Sequence, residues 1–273
     1  MRLLWKITLI LILLPPVLSG IYHNPASFRE TKSASMKMKS EVKVIAHRGA
    51  WKKEGLPQNS IASLRNAISI KADGSEFDVR ITSDDSLVIN HDSKYHGMVI
   101  EKTPYSELCQ YMLANGEKIP TLREYLTEGI RKKSTTRLIC ELKASGISRE
   151  RNLELAGKCI ATAEKTNATN HIVWISFDYD IVKRIIELMP KAEVFYLNGD
   201  MAPSDLKKAG ITGAGYNYSV FRKKPEWIDE AKREGVLLNV WTVNSPEEMD
   251  WFIAKEFDYI TTDEPELLQS KIN

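Results

Sequence analysis

Glu76 and Asp78 stand two residues apart, and His91-Asp92 follows after a run that reads as two β segments around a polar turn. Residues 79–82 lead out, residues 87–90 lead back, and Ser83-Asp84-Asp85-Ser86 joins them. Folding about the middle of that turn predicts residue 78 opposite residue 91, because paired positions of a hairpin sum to a constant. Glu76 and Asp78 project from the same side of their strand, since side chains alternate with period two. Two carboxylates and an imidazole therefore converge, which suits a hard cation with an acid–base group beside it. A solvated hairpin decorated with acidic residues is the plainer alternative. The setting argues against it: the stretch follows a helix-to-strand connection, Ala72-Asp73-Gly74-Ser75, inside a long α/β pattern. Strands in such a pattern are apolar on both faces, so charges at a carboxyl end mark a site.

These side chains need a scaffold, and the chain supplies a regular alternation. Strands are predicted at 42–47, 74–79, 137–143, 172–177, 193–197, 213–217, 236–242 and 259–262. Helical patterns lie at 59–71, 122–132, 149–165, 179–188, 203–209, 225–234 and 246–256, with a closing one at 267–271. Pro203, Pro225 and Pro246 suit helix starts, and Gly210 and Gly235 suit helix ends. Eight βα units predict an α/β fold of the TIM (β/α)8 barrel type, with a short hairpin insertion after the second strand. A doubly wound sheet is the alternative, but no Gly-rich phosphate loop follows the first strand.

A barrel places its chemistry at the carboxyl ends of its strands. Read in order, those ends carry His47-Arg48-Gly49, then Glu76 and Asp78, then Glu141 and Lys143, then Ser176-Phe177, Asn217, Trp241 and Asp263. Glu76, Asp78 and Glu141 form an oxygen-only set that suits Ca²⁺ or Mg²⁺ rather than zinc. His47 and His91 come from different strands and would flank a reacting phosphorus, one accepting and one giving a proton. Arg48 offers a planar fork for phosphate oxygens, and Lys143 a point charge for developing negative charge. Each residue also has a structural role open to it: His47 as a strand cap, Arg48 or Lys143 as partner of a barrel carboxylate. Taken together they read as a phosphodiester-cleaving constellation. Trp241 reads as a pocket wall. His23, His96 and His171 fall in a spacer, a loop and a turn, and read as non-catalytic.

Length and composition are compatible with that scaffold. With 273 residues, 43% of them apolar, the chain buries a large core. Residues 1–20 read as a signal peptide: Arg2 and Lys6, an apolar run from Ile7 to Leu14 broken only by Thr8, Pro15-Pro16, then Val17-Leu18-Ser19-Gly20. The run is short for a membrane span, so no stable span is expected after cleavage, and a periplasmic or secreted protein is. Residues 21–41 are polar and aperiodic and read as a flexible spacer; residues 42–273 form the barrel domain. Setting Arg2 and Lys6 aside from the 38 basic residues leaves 36, equal to the 36 acidic ones. That balance argues against a nucleic-acid partner. Cys109, Cys140 and Cys159 are odd in number and form no Cys-x-x-Cys pair, so free buried thiols are expected, with one surface disulfide as the alternative.

The ordered motifs resemble those of glycerophosphodiester phosphodiesterases. They are His47-Arg48-Gly49, Pro57-Gln58-Asn59-Ser60, Glu76-Phe77-Asp78-Val79, His91-Asp92, Glu141-Leu142-Lys143, Trp241-Thr242-Val243-Asn244 and Thr262-Asp263-Glu264-Pro265. The resemblance covers about residues 42 to 270. It implies a divalent cation on Glu76, Asp78 and Glu141, an acid–base pair of His47 and His91, and cleavage of glycerophosphodiesters to sn-glycerol 3-phosphate and an alcohol. Attack by the neighbouring glycerol hydroxyl through a cyclic phosphate is part of that expectation. Gln58 departs from the family's usual Glu; with Asn59 it is expected behind the metal and phosphate ligands, near Arg48. Tyr95 and Met98, in the insertion between His91 and Arg137, are candidate pocket walls, and exposed apolar residues from Tyr95 to Ile100 would favour a lysolipid substrate instead. A secreted phosphodiester-binding protein without catalysis is the reading from another class, and Gln58 alone points that way.

Overall fold

The structure is a computed structural model that describes residues 42–272. Residues 1–41, on which the expected signal peptide and spacer fall, and Asn273 lie outside the described residues.

Strands whose residues are buried on both faces can only sit inside a sheet covered by helices. The segments Ile172–Ser176 and Val194–Tyr196 are buried throughout, and so is all but the first residue of Arg137–Leu142. In chain order the strands are β1 (Lys43–Ala46), β2 (Gly74–Ile81), β3 (Leu87–Ile89), β4 (Lys94–Tyr95), β5 (Met98–Val99), β6 (Arg137–Leu142), β7 (Ile172–Ser176), β8 (Val194–Tyr196), β9 (Gly213–Asn217), β10 (Leu237–Trp241) and β11 (Tyr259–Thr262). The sheet runs β1-β11-β10-β9-β8-β7-β6-β2, all parallel, and β1 also pairs with β2. That last pairing, Ile45 opposite Gly74, closes the ring. The fold is the expected TIM barrel.

Helices between the strands pack outside. Their starts follow the expected chemistry: Ser60 caps Ile61–Ser69, Thr121 and Glu124 form a capping box on Leu122–Gly129, and Ser245 caps a helix that opens on Pro246. Gly235, at φ +66°, ends Glu226–Glu234. Inside the barrel, Ile45, Ile139, Val173, Ile175, Phe195, Leu197 and Tyr259 fill the floor. Gly213 makes room for them, because a Cβ there would lie 2.2 Å from the Phe195 ring.

Three local expectations change. The hairpin of β2 and β3 pairs Val79 with Ile89 and Ile81 with Leu87, so residue 78 faces Asn90, not His91. The cause is the turn: Thr82 and Ser86 bond across three residues, and Asp85 takes a left-handed φ of +65° where a Gly is usual. The helix expected at 122–132 stops at Gly129, since Lys132 and Lys133 have positive φ. A short helix, Tyr218–Lys223, precedes the one that begins after Pro225. It buries only Phe221, too little for a periodic pattern to declare.

The insertion after β3 is held by a small core of its own, Val88, Tyr95, Ile100, Leu108 and Ile119. All three cysteines are free thiols, with Cys140 and Cys159 buried. Among the described residues, no helix is long and apolar enough to cross a membrane.

Candidate active site

The first βα turn is built around two unusual backbone positions. Arg48 has φ +55° and Gly49 φ +84°. A Cβ on Gly49 would come within 2.4 Å of the Ser63 hydroxyl, so only glycine fits. The Arg48 amide donates to Glu76 Oε2 at 2.8 Å, and its carbonyl accepts from the Asn59 amide and the Ser63 hydroxyl. The bend therefore turns His47 and Arg48 over the mouth and ties them to β2.

His47 sets its ring between two carboxylates. Nδ1 lies 2.8 Å from Asp263 Oδ1, and Nε2 lies 3.9 Å from Glu76 Oε2. Asp263 in turn accepts from the Asn244 amide group at 2.7 Å. Burial would raise the Asp263 carboxyl, but the hydrogen bonds from His47 and Asn244 outweigh it and leave it lowered. Asp263 stands at a strand end, where a barrel puts its chemistry. Its partnership with His47 crosses 216 positions of sequence, so no local pattern signals it.

Glu76, Asp78 and Glu141 bring ligand oxygens within 4.8 Å of one another, all three buried. The register explains this: Asp78 pairs with Glu141 across β2 and β6, and Glu76 is two residues back on the same face. Lys143 Nζ lies 3.0 Å from Asp78 Oδ1 and 2.6 Å from Glu141 Oε1, the second outside hydrogen-bond alignment. Asn59 clamps Asp78 from behind, giving 2.8 Å to its Oδ2 and accepting its amide at 3.1 Å. Gln58 accepts from Arg48 at 2.7 Å. Arg48 Nε stands 3.7 Å from Asp78 Oδ2. Gln58 thus contacts Arg48, and Asn59 contacts Asp78.

Electrostatics separate the three acids. Burial pushes Glu76 well up, and repulsion from Asp78 and Glu141 adds to it. Burial, then Asp78, raises Glu141 to about 7 against the pull of Lys143. Asp78 stays lowered: burial opposes ionisation, but Lys143, His91 and the Asn59 hydrogen bond prevail. Burial thus favours the protonated forms of Glu76 and Glu141, and a bound cation would favour the ionised ones. Glu76 Oε1 is buried with no hydrogen-bond partner. An orphaned carboxylate oxygen in an all-oxygen cluster fits a hard divalent cation.

His91 reaches the same cavity even though the register is shifted by one. The cavity encloses about 120 Å³ and is lined by the polar His47, Arg48, Glu76, His91, Glu141 and Lys143 and the apolar Ile175, Phe177, Leu197 and Trp241. His91 Nδ1 lies 2.8 Å from Asp92 Oδ1, and burial is the largest influence lowering its imidazole. Phe177 and Trp241 meet edge to face at 5.4 Å, and the Trp241 indole N–H donates to the Gly215 carbonyl at 2.7 Å. Trp241 is the expected wall. Tyr95 is not: it is buried in the insertion's own core. His96 stacks on Tyr111, away from the cavity, and His171 lies in a 3₁₀ turn before β7.

A closed parallel barrel that gathers a buried acidic cluster and two histidines at one cavity suits phosphodiester hydrolysis. More particularly, the chain belongs to the glycerophosphoryl diester phosphodiesterase family, whose sequence profile matches residues 47–267. A glycerophosphodiester phosphodiesterase of Caldanaerobacter subterraneus is 31% identical over 241 residues, covering 82% of this chain and 95% of that protein. The crystal structure of a glycerophosphodiester phosphodiesterase from Parabacteroides distasonis is 44% identical, with a TM-score of 0.83 over 86% of this chain and 98% of that one. An Oleispira antarctica phosphodiesterase, solved with its product sn-glycerol-3-phosphate, shares the fold at 22% identity and a TM-score of 0.71, over 84% of this chain and 96% of that one.

Proposed function

We propose that this protein hydrolyses glycerophosphodiesters to sn-glycerol 3-phosphate and an alcohol, with His47 and His91 as the acid–base pair. The observation that carries this reading is the single cavity lined by both imidazoles, Arg48, Glu76 and Glu141, the two acids being neighbours of Asp78 in the cluster. One histidine takes the proton of the glycerol hydroxyl next to the phosphate as that oxygen bonds to phosphorus. The other protonates the leaving alcohol oxygen as its bond to phosphorus breaks. Water then opens the cyclic phosphate with the two roles exchanged. Arg48 aims a fork at the phosphate oxygens. Lys143 balances Asp78 and Glu141 and lines the cavity as a second cationic group. Glu76, Asp78 and Glu141 would hold Ca²⁺ or Mg²⁺, which when bound supplies positive charge for the phosphate. Trp241 and Phe177 supply an aromatic wall of the same cavity.

The test is release of glycerol 3-phosphate from glycerophosphocholine by the purified protein with Ca²⁺, with Mg²⁺ and with EDTA. Release that requires a cation and stops with EDTA is expected. No release with either cation would overturn the reading.

A second reading, an acylated glycerophosphodiester as substrate, is favoured by one observation. Ile147, Phe177, Tyr179 and Tyr218 all follow carboxyl ends of barrel strands and remain exposed. The region from Tyr95 to Ile100 has no fully exposed apolar residue: Tyr95 and Ile100 are buried, and Met98 and Val99 are half-buried. Faster turnover of lysophosphatidylcholine than of glycerophosphocholine would establish it. We also propose export guided by residues 1–20, which N-terminal sequencing of the mature protein from a periplasmic or culture fraction would test.

A further inference from the structure

We propose that Arg80 is a positioning residue that sets His91 at the barrel mouth; the inference rests on the acid–base reading of His91. Arg80 follows Glu76 and Asp78 at the next alternate place on β2, so one strand face carries two acids and then this guanidinium. Its Nε and one terminal nitrogen both donate to the His91 carbonyl, at 2.9 and 2.5 Å. The need for that fork comes from the hairpin. Strand β3 ends at Ile89, and the Asn90 amide makes the last bond to β2, on the Asp78 carbonyl. His91 is therefore the first residue with no place in the ladder. The carboxylate at its ring, Asp92, is a loose tether, its side chain 80% exposed. Arg80 is itself confined: with Ser93, Glu101, Lys143 and Ser145 it lines a cavity of only about 10 Å³. Glu101 accepts from the Ser145 hydroxyl and the Gly146 amide, which locks the insertion to the loop after β6 around that guanidinium. The arm that fixes the His91 backbone is thus half-buried and held by two hydrogen bonds, whereas the residue it fixes lies outside the sheet.

The experiment compares R80Q, R80K, H91A and the double variant R80Q/H91A, each checked by thermal melting. R80Q is expected to lower kcat roughly tenfold to a hundredfold, as misplacement by about 1 Å does, with KM and the half-saturating cation concentration within about twofold. R80K, which donates from one nitrogen and has no fork, should fall between R80Q and the wild type. In the H91A background R80Q should cost nothing more, because the residue it positions is gone. Wild-type kcat in R80Q, or losses that multiply in the double variant, would overturn the role of Arg80 while leaving that of His91 standing. Should R80Q fail to fold, R80K decides: a several-fold lower kcat supports the role, and an unchanged one overturns it. Full activity in H91A would instead overturn the underlying reading, and the proposal with it.

Discussion

Asp263 Oδ1 lies 2.8 Å from His47 Nδ1, with the Asn244 amide group on its other oxygen. A carboxylate there favours the tautomer with the proton on Nδ1, which leaves Nε2 free toward Glu76 and the cavity. Asp263→Asn removes that preference, because an amide can accept or donate. A loss of roughly tenfold to a hundredfold in kcat is expected, with KM little changed. Steady-state kinetics on the folded variant check it, and an unchanged kcat would dissociate Asp263 from catalysis.

His91→Ala should abolish turnover by roughly 10²- to 10⁴-fold, the usual contribution of a positioned proton-transfer group. His91 is half-buried at the end of a hairpin, so the melting temperature should stay close to wild type. Substantial residual activity would remove it from the acid–base pair.

Glu141→Gln should raise the cation concentration needed for half-maximal activity. The substitution removes one of the three carboxylates of the cluster while keeping the volume and the place opposite Asp78. An unchanged titration with Mg²⁺ or Ca²⁺ would take Glu141 out of the ligand set.

The acidic cluster also predicts a pH dependence of stability. Burial raises Glu141 to about 7 in the cation-free protein, and Glu76 is raised as well. The folded state then binds protons that the unfolded chain has released, so the contribution of these two groups to stability is full below about pH 4.5 and is lost as pH rises through about 7. A cation bound to the carboxylates replaces those protons. The gain in melting temperature on adding Mg²⁺ or Ca²⁺ should therefore grow from about pH 5 to about pH 8, by roughly 2–4 °C for each kcal/mol. Parallel melts with cation and with EDTA test this, and a gain independent of pH would contradict it.

Gly49→Ala should destabilise the fold and the site together. The position has φ +84°, and the added carbon would sit 2.4 Å from the Ser63 hydroxyl. The left-handed backbone alone costs about 1–2 kcal/mol, and the contact adds to it. Denaturant unfolding measures the loss, and wild-type stability would show that the turn can relax.

The sequence by itself determined the barrel and most of the polar side chains that gather at its cavity. Each of the eight parallel strands is a short apolar segment whose pattern is local, and the charges that interrupt the pattern stand at carboxyl ends. Pairs such as Glu76 and Asp78, or Glu141 and Lys143, are close in sequence, so alternation alone puts each pair on one side. What tertiary structure decided is what crosses the chain. The register that sets Asp78 beside Glu141 belongs to two strands brought together, and the closure of β1 on β11 brings Asp263 to His47. The hairpin shows the boundary most plainly. That it exists could be read from its turn, but its register depended on a left-handed Asp85, and the pairing moved by one residue. Alternation says which residues share a face; the backbone torsions of one turn residue, and the distant groups that close around it, settle which atoms meet.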